Sequence, residues 1–381
     1  MERRSFLSRA GAGAGVVGAA LVAAPAITKA ASPAVRWRGM SGFPPALDTA
    51  FGTARDAAKR VADATGGRFQ ITVAPPGEIV PMLQAADAVG AGTIDCAHVF
   101  PGWYVGQDPI WGFVGAIPFG LSVRGHNAWW FEGGGQDLIN AWLRPRGMVF
   151  VLAGNTGTQM GGWFRREIRT MDDVRGLRMR VAGLGGNVWL AAGAVPQQIA
   201  GGEIYAALER GTIDAAEFIG PHDDERLGFH RVARFYHHPG WWEGCSALGW
   251  MVNIRAWEGL PAEYREAFTA ASHEANTVMM ARYDARNAAA LRRLIAGGTQ
   301  LRAFPRPVMQ AFFDHAQRMY AEMTAANADF KRVYDSYTGA QRENVAWLRF
   351  TDTAFENFMG EALLGARVPA PSSAARAEGA H

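Results

Sequence analysis

Few residues in this sequence have both the types and the spacing that do chemistry unaided. Gly183-Leu184-Gly185-Gly186-Asn187 follows an expected strand and opens an expected helix, an arrangement that presents backbone N–H groups to an anion. A dinucleotide loop would need a third glycine where Val188 stands and an acidic partner downstream, so a small anion fits the pattern better. His222-Asp223-Asp224 and His237-His238 carry metal-ligating types. Neighbours on a strand face opposite ways, so both runs read as solvated polar loops. No G-x-S-x-G, H-E-x-x-H or paired-cysteine pattern occurs. Cys96 and Cys245 could form one disulfide, but two buried apolar thiols account for them better.

Two charged residues are notable for their surroundings. Glu217 lies within the apolar stretch 215–219, where a buried carboxylate is costly unless paired, which favours a functional role over a core accident. Arg180 falls near the end of an expected strand; its planar fork matches a carboxylate, and from the residue alone a surface salt bridge is an equal reading. Of 13 tryptophans, several have glycine neighbours, among them Trp103, Trp163, Trp241 and Trp242, as the walls of a cleft would. Trp163 and Trp241, at strand-to-loop edges, are expected on a pocket wall; Trp129-Trp130, inside a helical stretch, reads as core.

The elements that must position these residues alternate. Strands are expected over 35–40, 69–73, 94–100, 148–153, 177–181, 215–219 and 248–252. Helices are expected over 44–64, 82–90, 187–192 and 204–210, so the fold class is α/β. After Pro261 the texture changes to long helical segments, 263–296, 307–335 and 339–364. The apolar positions Phe312, Met319, Met323, Phe330, Tyr334 and Trp347 follow a loose helical spacing, as a packing face does. The Pro-, Ala- and Ser-rich end of the chain reads as a disordered tail, 367–381.

Arg3-Arg4-Ser5-Phe6-Leu7, followed by an apolar run too short and weakly hydrophobic to span a membrane, fits a twin-arginine export segment over 1–31. The whole chain carries 38 basic against 35 acidic residues, and residues 1–30 contribute Arg3, Arg4, Arg9 and Lys29 against Glu2. The remainder is formally neutral, 34 against 34, with no basic stripe for nucleic acid or an anionic membrane. The length left after export exceeds what one core usually holds, so two domains are expected.

Several ordered motifs carry a family resemblance over nearly all of the exported chain. Asn155-Thr156-Gly157-Thr158-Gln159-Met160-Gly161-Gly162-Trp163 is similar to the N-T-G-x-Q-M-G-G-W segment of the solute receptors of tripartite ATP-independent periplasmic (TRAP) transporters, in their 2-oxo acid and lactate-binding branch. Leu177-Arg178-Met179-Arg180, Glu217-Phe218-Ile219-Gly220-Pro221-His222-Asp223-Asp224 and Tyr104-Val105-Gly106-Gln107-Asp108-Pro109 resemble further segments of that branch.

The resemblance implies a two-domain periplasmic-binding-protein clamshell with long C-terminal helices. One domain would use 32–155 plus 253–310 and the other 156–252, with 311–366 serving packing or dimerisation. Arg180 would grip the substrate carboxylate, with Asn155, Gln159, Trp103, Trp163, Phe218 and Trp241 around the ligand. A sodium or calcium ion would be held beside it by Gln159, Glu217, the Phe218 carbonyl and Glu243, all hard oxygen donors. Partners would be a small carboxylate, the membrane permease and a second copy of the chain, with no nucleic acid. The chain departs from the branch where Trp103 replaces a tyrosine, Gln107 a lysine, and Cys245 follows Glu243. The added bulk points to a larger or aromatic 2-oxo or 2-hydroxy acid. An exported enzyme and a sensor feeding a membrane kinase are the alternatives in other classes. The first predicts turnover or a tightly held cofactor, the second a kinase partner.

Overall fold

The structure, a computed structural model, describes residues 32–365. The expected export segment and C-terminal tail lie outside the described residues. Two sheets organise the chain. The first contains β1 (Val35–Ser41), β2 (Phe69–Ala74), β3 (Cys96–Val99), β4 (Met148–Asn155) and β10 (Ala247–Asn253), in the order β2-β1-β3-β10-β4. β1 runs parallel to β2 and β3, and the helix Ala50–Ala64 supplies the crossover that a parallel pair needs. β10 is antiparallel to both its neighbours and all seven of its residues are buried, so it shows no alternation for a sequence pattern to report.

The second sheet has the order β11-β9-β5-β8-β6-β7. Its strands are short: β5 (Gly162–Phe164), β6 (Arg178–Arg180), β7 (Val195–Gln197), β8 (Ala215–Ala216), β9 (Phe235–His238) and β11 (Gln300–Ala303). Strands β5, β7, β9 and β11 fall outside the sequence-expected set, because three or four residues are too few to display a period. Residues 300–303, grouped by sequence with the first domain, pair with β9 and belong to the second sheet.

The chain passes between the sheets three times. It crosses after β4 through residues 156–161, returns after β9 through 239–246, and crosses again along the 35-residue helix Ala262–Ala296, about 50 Å long. That helix packs on the first sheet through a cluster including Trp37, Phe69 and Phe268, with Trp37 edge-on to Phe69 at 4.8 Å. Further along, its Tyr283 hydroxyl donates to Asp223 Oδ2 at 2.6 Å on the second lobe.

The C-terminal region is three helices, Arg306–Ala326, Ala328–Leu348 and Asp352–Leu364. Asn327 divides the expected segment 307–335: it leaves the helical region at φ −138° and its side chain accepts from Phe330 N, capping the next helix. Among the described residues no helix is long and apolar enough to cross a membrane.

Candidate ligand and cation site

The first two crossings meet at the C-terminal edges of β6 and β8, where open α/β sheets generally hold ligands. Parallel pairing sets Arg180 opposite Ala216, so the next residue, Glu217, emerges beside Arg180. Gly162 permits this edge to be tight. Its φ is +90°, and a Cβ there would lie 2.7 Å from the Ala216 carbonyl and 3.0 Å from Glu217 Cα.

Arg180 is 2% exposed. Its Nε donates to the Ile199 carbonyl at 3.1 Å, and its Nη1 donates to the Glu217 carbonyl at 2.7 Å and to Glu217 Oε1 at 2.5 Å. The guanidinium also lies 5.4 Å from the centre of the Phe218 ring. Glu217 Oε1 accepts a second bond from Ala182 N at 2.8 Å, whereas Oε2 is buried without a donor. Burial pushes the Glu217 carboxyl up, opposed by Arg180, the Ala182 N–H and the nearby Trp242 indole, whose geometry falls short of a hydrogen bond.

The crossings supply the rest. Gln159 N donates to the Glu243 carbonyl at 3.2 Å and Gly240 N to the Gln159 carbonyl at 2.8 Å, which ties the two crossings together. Gln159 Nε2 donates to Thr156 Oγ1, leaving buried Oε1 without a partner. Burial pushes the Glu243 carboxyl well up, and the neighbouring Glu217 charge adds to the rise.

These groups line one cavity between the lobes. Its polar side is Thr156, Gln159, Arg180, Glu217, Glu243 and Ser246 with Ala182; its apolar side is Phe43, Phe100, Trp103, Phe218, Ile219 and Leu248. At about 20 Å³ it has room for little more than a water, so its walls must part to admit an organic ligand. Two buried carboxylates face one guanidinium, and two acceptor oxygens have no donor. A hard cation fits this set, because it would satisfy both orphaned oxygens and offset the surplus negative charge.

The structure brings Arg180, Gln159, Trp103, Phe218, Glu217 and Glu243 together on this cavity, and keeps three other expected residues off it. Trp163 is core: it stacks on Tyr236 at 4.0 Å and donates to Asp224 Oδ2 at 2.9 Å. Trp241 is also core, lying between Phe119 and Phe312 at centroid distances of 5.2 and 4.5 Å. A glycine beside a tryptophan marks close packing of either kind, which is why sequence placed both rings on the wall. Asn155 lies behind the cavity, where its Oδ1 accepts from Gly157 N at 3.0 Å and shapes the first crossing.

The polar runs differ from expectation as well. Asp223 and Asp224 are buried in the first turn of the helix Pro221–Leu227, and His237 is buried in β9. Hydroxyl and indole donors from Tyr283, Tyr236 and Trp163 replace the solvent expected around the aspartates. The glycine-rich run 183–187 serves packing, since a Cβ on Gly185 would meet Trp242 Cβ at 2.7 Å. Cys96 and Cys245 are buried free thiols. Of the wall residues that sequence did not single out, Phe43 and Leu248 sit in strand or loop contexts shared with many core residues. Thr156 lies inside the 155–163 motif and Ser246 follows Cys245, and that placement is the signal that could have found them.

A two-lobed α/β fold that closes over a small polar-and-apolar cavity defines a ligand-binding receptor. The particular family follows from comparison. Residues 40–327 match the DctP family, bacterial extracellular solute-binding protein family 7, and the chain belongs to it. It is 44% identical over 330 residues to a monocarboxylate 2-oxoacid-binding periplasmic protein of Nostoc, covering 87% of this chain and 90% of that one. A TRAP transporter solute-binding protein of Bordetella bronchiseptica is 45% identical with a TM-score of 0.86, covering 87% of this chain and 99% of that one. That structure is a mixed-occupancy dimer, with copurified calcium and picolinate in one site and the other apo. A TRAP receptor of Pseudoalteromonas atlantica with bound sodium and pyruvate is 34% identical with a TM-score of 0.82, covering 85% of this chain and 98% of that one.

Proposed function

We propose that this chain is an exported periplasmic receptor. It captures a monocarboxylate of the 2-oxo or 2-hydroxy acid class together with sodium or calcium, and delivers it to a TRAP permease. The observation that carries the reading is the convergence of Arg180 with the unpartnered Glu217 Oε2 and Gln159 Oε1 on one cavity. Arg180 holds the carboxylate, and Gln159, Glu217, the Phe218 carbonyl and Glu243 hold the cation. The ion balances the carboxylates and accepts the donor atom next to the ligand's own carboxylate.

The apolar side selects the remainder of the ligand. Phe43, Phe100, Trp103, Ile219 and Leu248 offer no side-chain partner for a second carboxylate, an amine or a hydroxylated tail apart from the indole N–H of Trp103. The substrate is therefore a compact, planar acid with an apolar or aromatic remainder. The chain is a receptor and not an enzyme, its export is by the twin-arginine route, and its C-terminal helices make a homodimer. Trp347, Phe350, Phe355 and Phe358 are each at least 60% exposed there, which supports a covered face in the assembled protein.

The test is a thermal-shift screen of residues 32–381 against pyruvate, lactate, phenylpyruvate, picolinate and neutral polyols, each with sodium, calcium or chelator. A cation-dependent rise with a monocarboxylate is expected. A rise only with polyols overturns the assignment.

A further inference from the structure

The segment that follows β7 touches three parts of the cavity with three of its first four residues. Gln198 Nε2 donates to the Trp103 carbonyl at 3.0 Å. The Ile199 carbonyl accepts from Arg180 Nε at 3.1 Å. A Cβ on Gly201 would lie 2.7 Å from the Phe218 ring, so the backbone lies directly on that ring. Trp103 rides on the 3-10 turn Pro101–Tyr104 after β3 of the first sheet, whereas Arg180, Phe218 and Gln198 belong to the second. The Gln198 bond therefore joins the two lobes at the cavity wall, one residue from the carbonyl that holds the anion-binding arginine.

We infer that Gln198 is a positioning residue for capture: it couples the set of Arg180 to closure of the Trp103 turn over the ligand. This rests on the receptor reading above. Two neighbouring bonds carry the coupling. Glu217 holds Arg180 at Nη1, and the Ile199 carbonyl completes the set at Nε, which ties the path of the chain at 198–199 to the orientation of the guanidinium. With the chain so fixed, the Gln198 amide meets the Trp103 carbonyl only when the lobes are closed. A bound carboxylate that orders Arg180 thereby favours closure, and closure in turn secures the arginine. Gln198 does not line the cavity, so it acts through these two groups and not by touching the ligand.

A bond made only in the closed state slows ligand escape and leaves entry to the open state unaltered. Loss of one neutral hydrogen bond should raise the dissociation rate about threefold to tenfold. The experiment is stopped-flow tryptophan fluorescence on the wild-type protein, Gln198→Ala and Gln198→Glu, with pyruvate and calcium as the probe. Gln198→Glu removes the donor at constant size and sets a carboxylate against the Trp103 carbonyl, so it should dissociate at least as fast as Gln198→Ala. Both variants should associate at the wild-type rate and melt, without ligand, at the wild-type temperature. Unchanged dissociation in both variants overturns the inference alone. Faster dissociation accompanied by an equal loss of ligand-free stability overturns it too, in favour of a general packing role. Failure of the wild type to bind pyruvate or any other 2-oxo acid overturns the receptor reading, and this inference with it.

Discussion

The Trp163 indole donates to Asp224 Oδ2 at 2.9 Å, and both residues are buried to 1% exposure or less. The Tyr236 hydroxyl donates to the same oxygen at 2.7 Å, and its ring stacks on Trp163. Asp224 stands in the first turn of the helix that follows Phe218 and Ile219. The pair thus fixes the strand-to-helix turn whose residues wall the cavity, without either ring or carboxylate entering it.

Trp163→Phe should therefore damage stability more than binding. It keeps the stacking ring and removes one of the donors to a buried carboxylate. A loss of about 1–3 kcal/mol in unfolding free energy is expected by denaturant titration. The ligand-induced thermal shift should survive. A variant of wild-type stability that no longer binds would return Trp163 to the cavity wall.

The same carboxylate makes stability depend on pH. Burial raises Asp224 from 3.8 to about 7, against the pull of Tyr236 and Trp163, and raises Asp223 to about 6. The folded state thus keeps protons that the unfolded chain has released. The stabilisation is complete below the unfolded value of 3.8 and is lost as pH rises towards about 7. Within that window Asp224 contributes a slope of roughly 1.4 kcal/mol per pH unit. Asp224→Asn should flatten the wild-type fall in stability between acid and neutral pH, read from denaturant midpoints across the range. Parallel pH profiles for the two proteins would show that Asp224 does not carry the effect.

Much of this arrangement can be read in the sequence, for reasons that differ residue by residue. β4 was legible because its first six residues, 148–153, form a continuous apolar run in a mostly buried strand. β9 was not, because two of its four residues are histidines and its burial comes from Phe304 stacked on His237 and Phe164 edge-on to it. Arg180 and Glu217 were each legible as unusual charges, but their contact spans 37 positions and exists only through the pairing of β6 with β8. Phe43 was invisible, because nothing in a lone phenylalanine before two prolines marks the wall of a cavity. The break at Asn327 is a side-chain cap inside an otherwise helical pattern, and a periodicity argument reads across it.

Arg180→Ala would strip Glu217 of its ion-pair partner, and an unpaired buried charge costs about 3–5 kcal/mol, so loss of folding would obscure loss of binding. Arg180→Lys keeps the charge and discards the fork. The lysine variant should remain folded by circular dichroism and lose most of the carboxylate-induced thermal shift. Wild-type binding by a folded Arg180→Lys would show that the guanidinium does not hold the anion.

Removing the cation should act separately from removing the arginine. Glu217 Oε2 and Gln159 Oε1 have no protein donor, so an ion that fills this position should stabilise the protein even before the acid arrives. Calcium alone is expected to raise the melting temperature modestly, and acid with chelator to raise it little. Both together should exceed the sum of the two. Simple additivity in calorimetric titrations would mean that ion and acid occupy independent sites.

The C-terminal helix Asp352–Leu364 buries none of its residues in the single chain. Phe355 and Phe358 are each 65% exposed, and Leu363 and Leu364 are 73% and 81% exposed. The preceding helix carries Trp347 in its last turn and is followed by Phe350, 60% and 73% exposed. Burying such a side chain is worth about 1.5–3 kcal/mol, so this run holds more than enough apolar surface to drive association. It is also separable from capture, because no residue beyond Leu248 lines the cavity. Phe355→Asp combined with Phe358→Asp should convert a dimer to a monomer by light scattering while leaving the ligand-induced thermal shift intact. A wild-type protein that is monomeric at every concentration would sink the dimer, and loss of binding in the monomeric variant would show that the two lobes need the second copy to close.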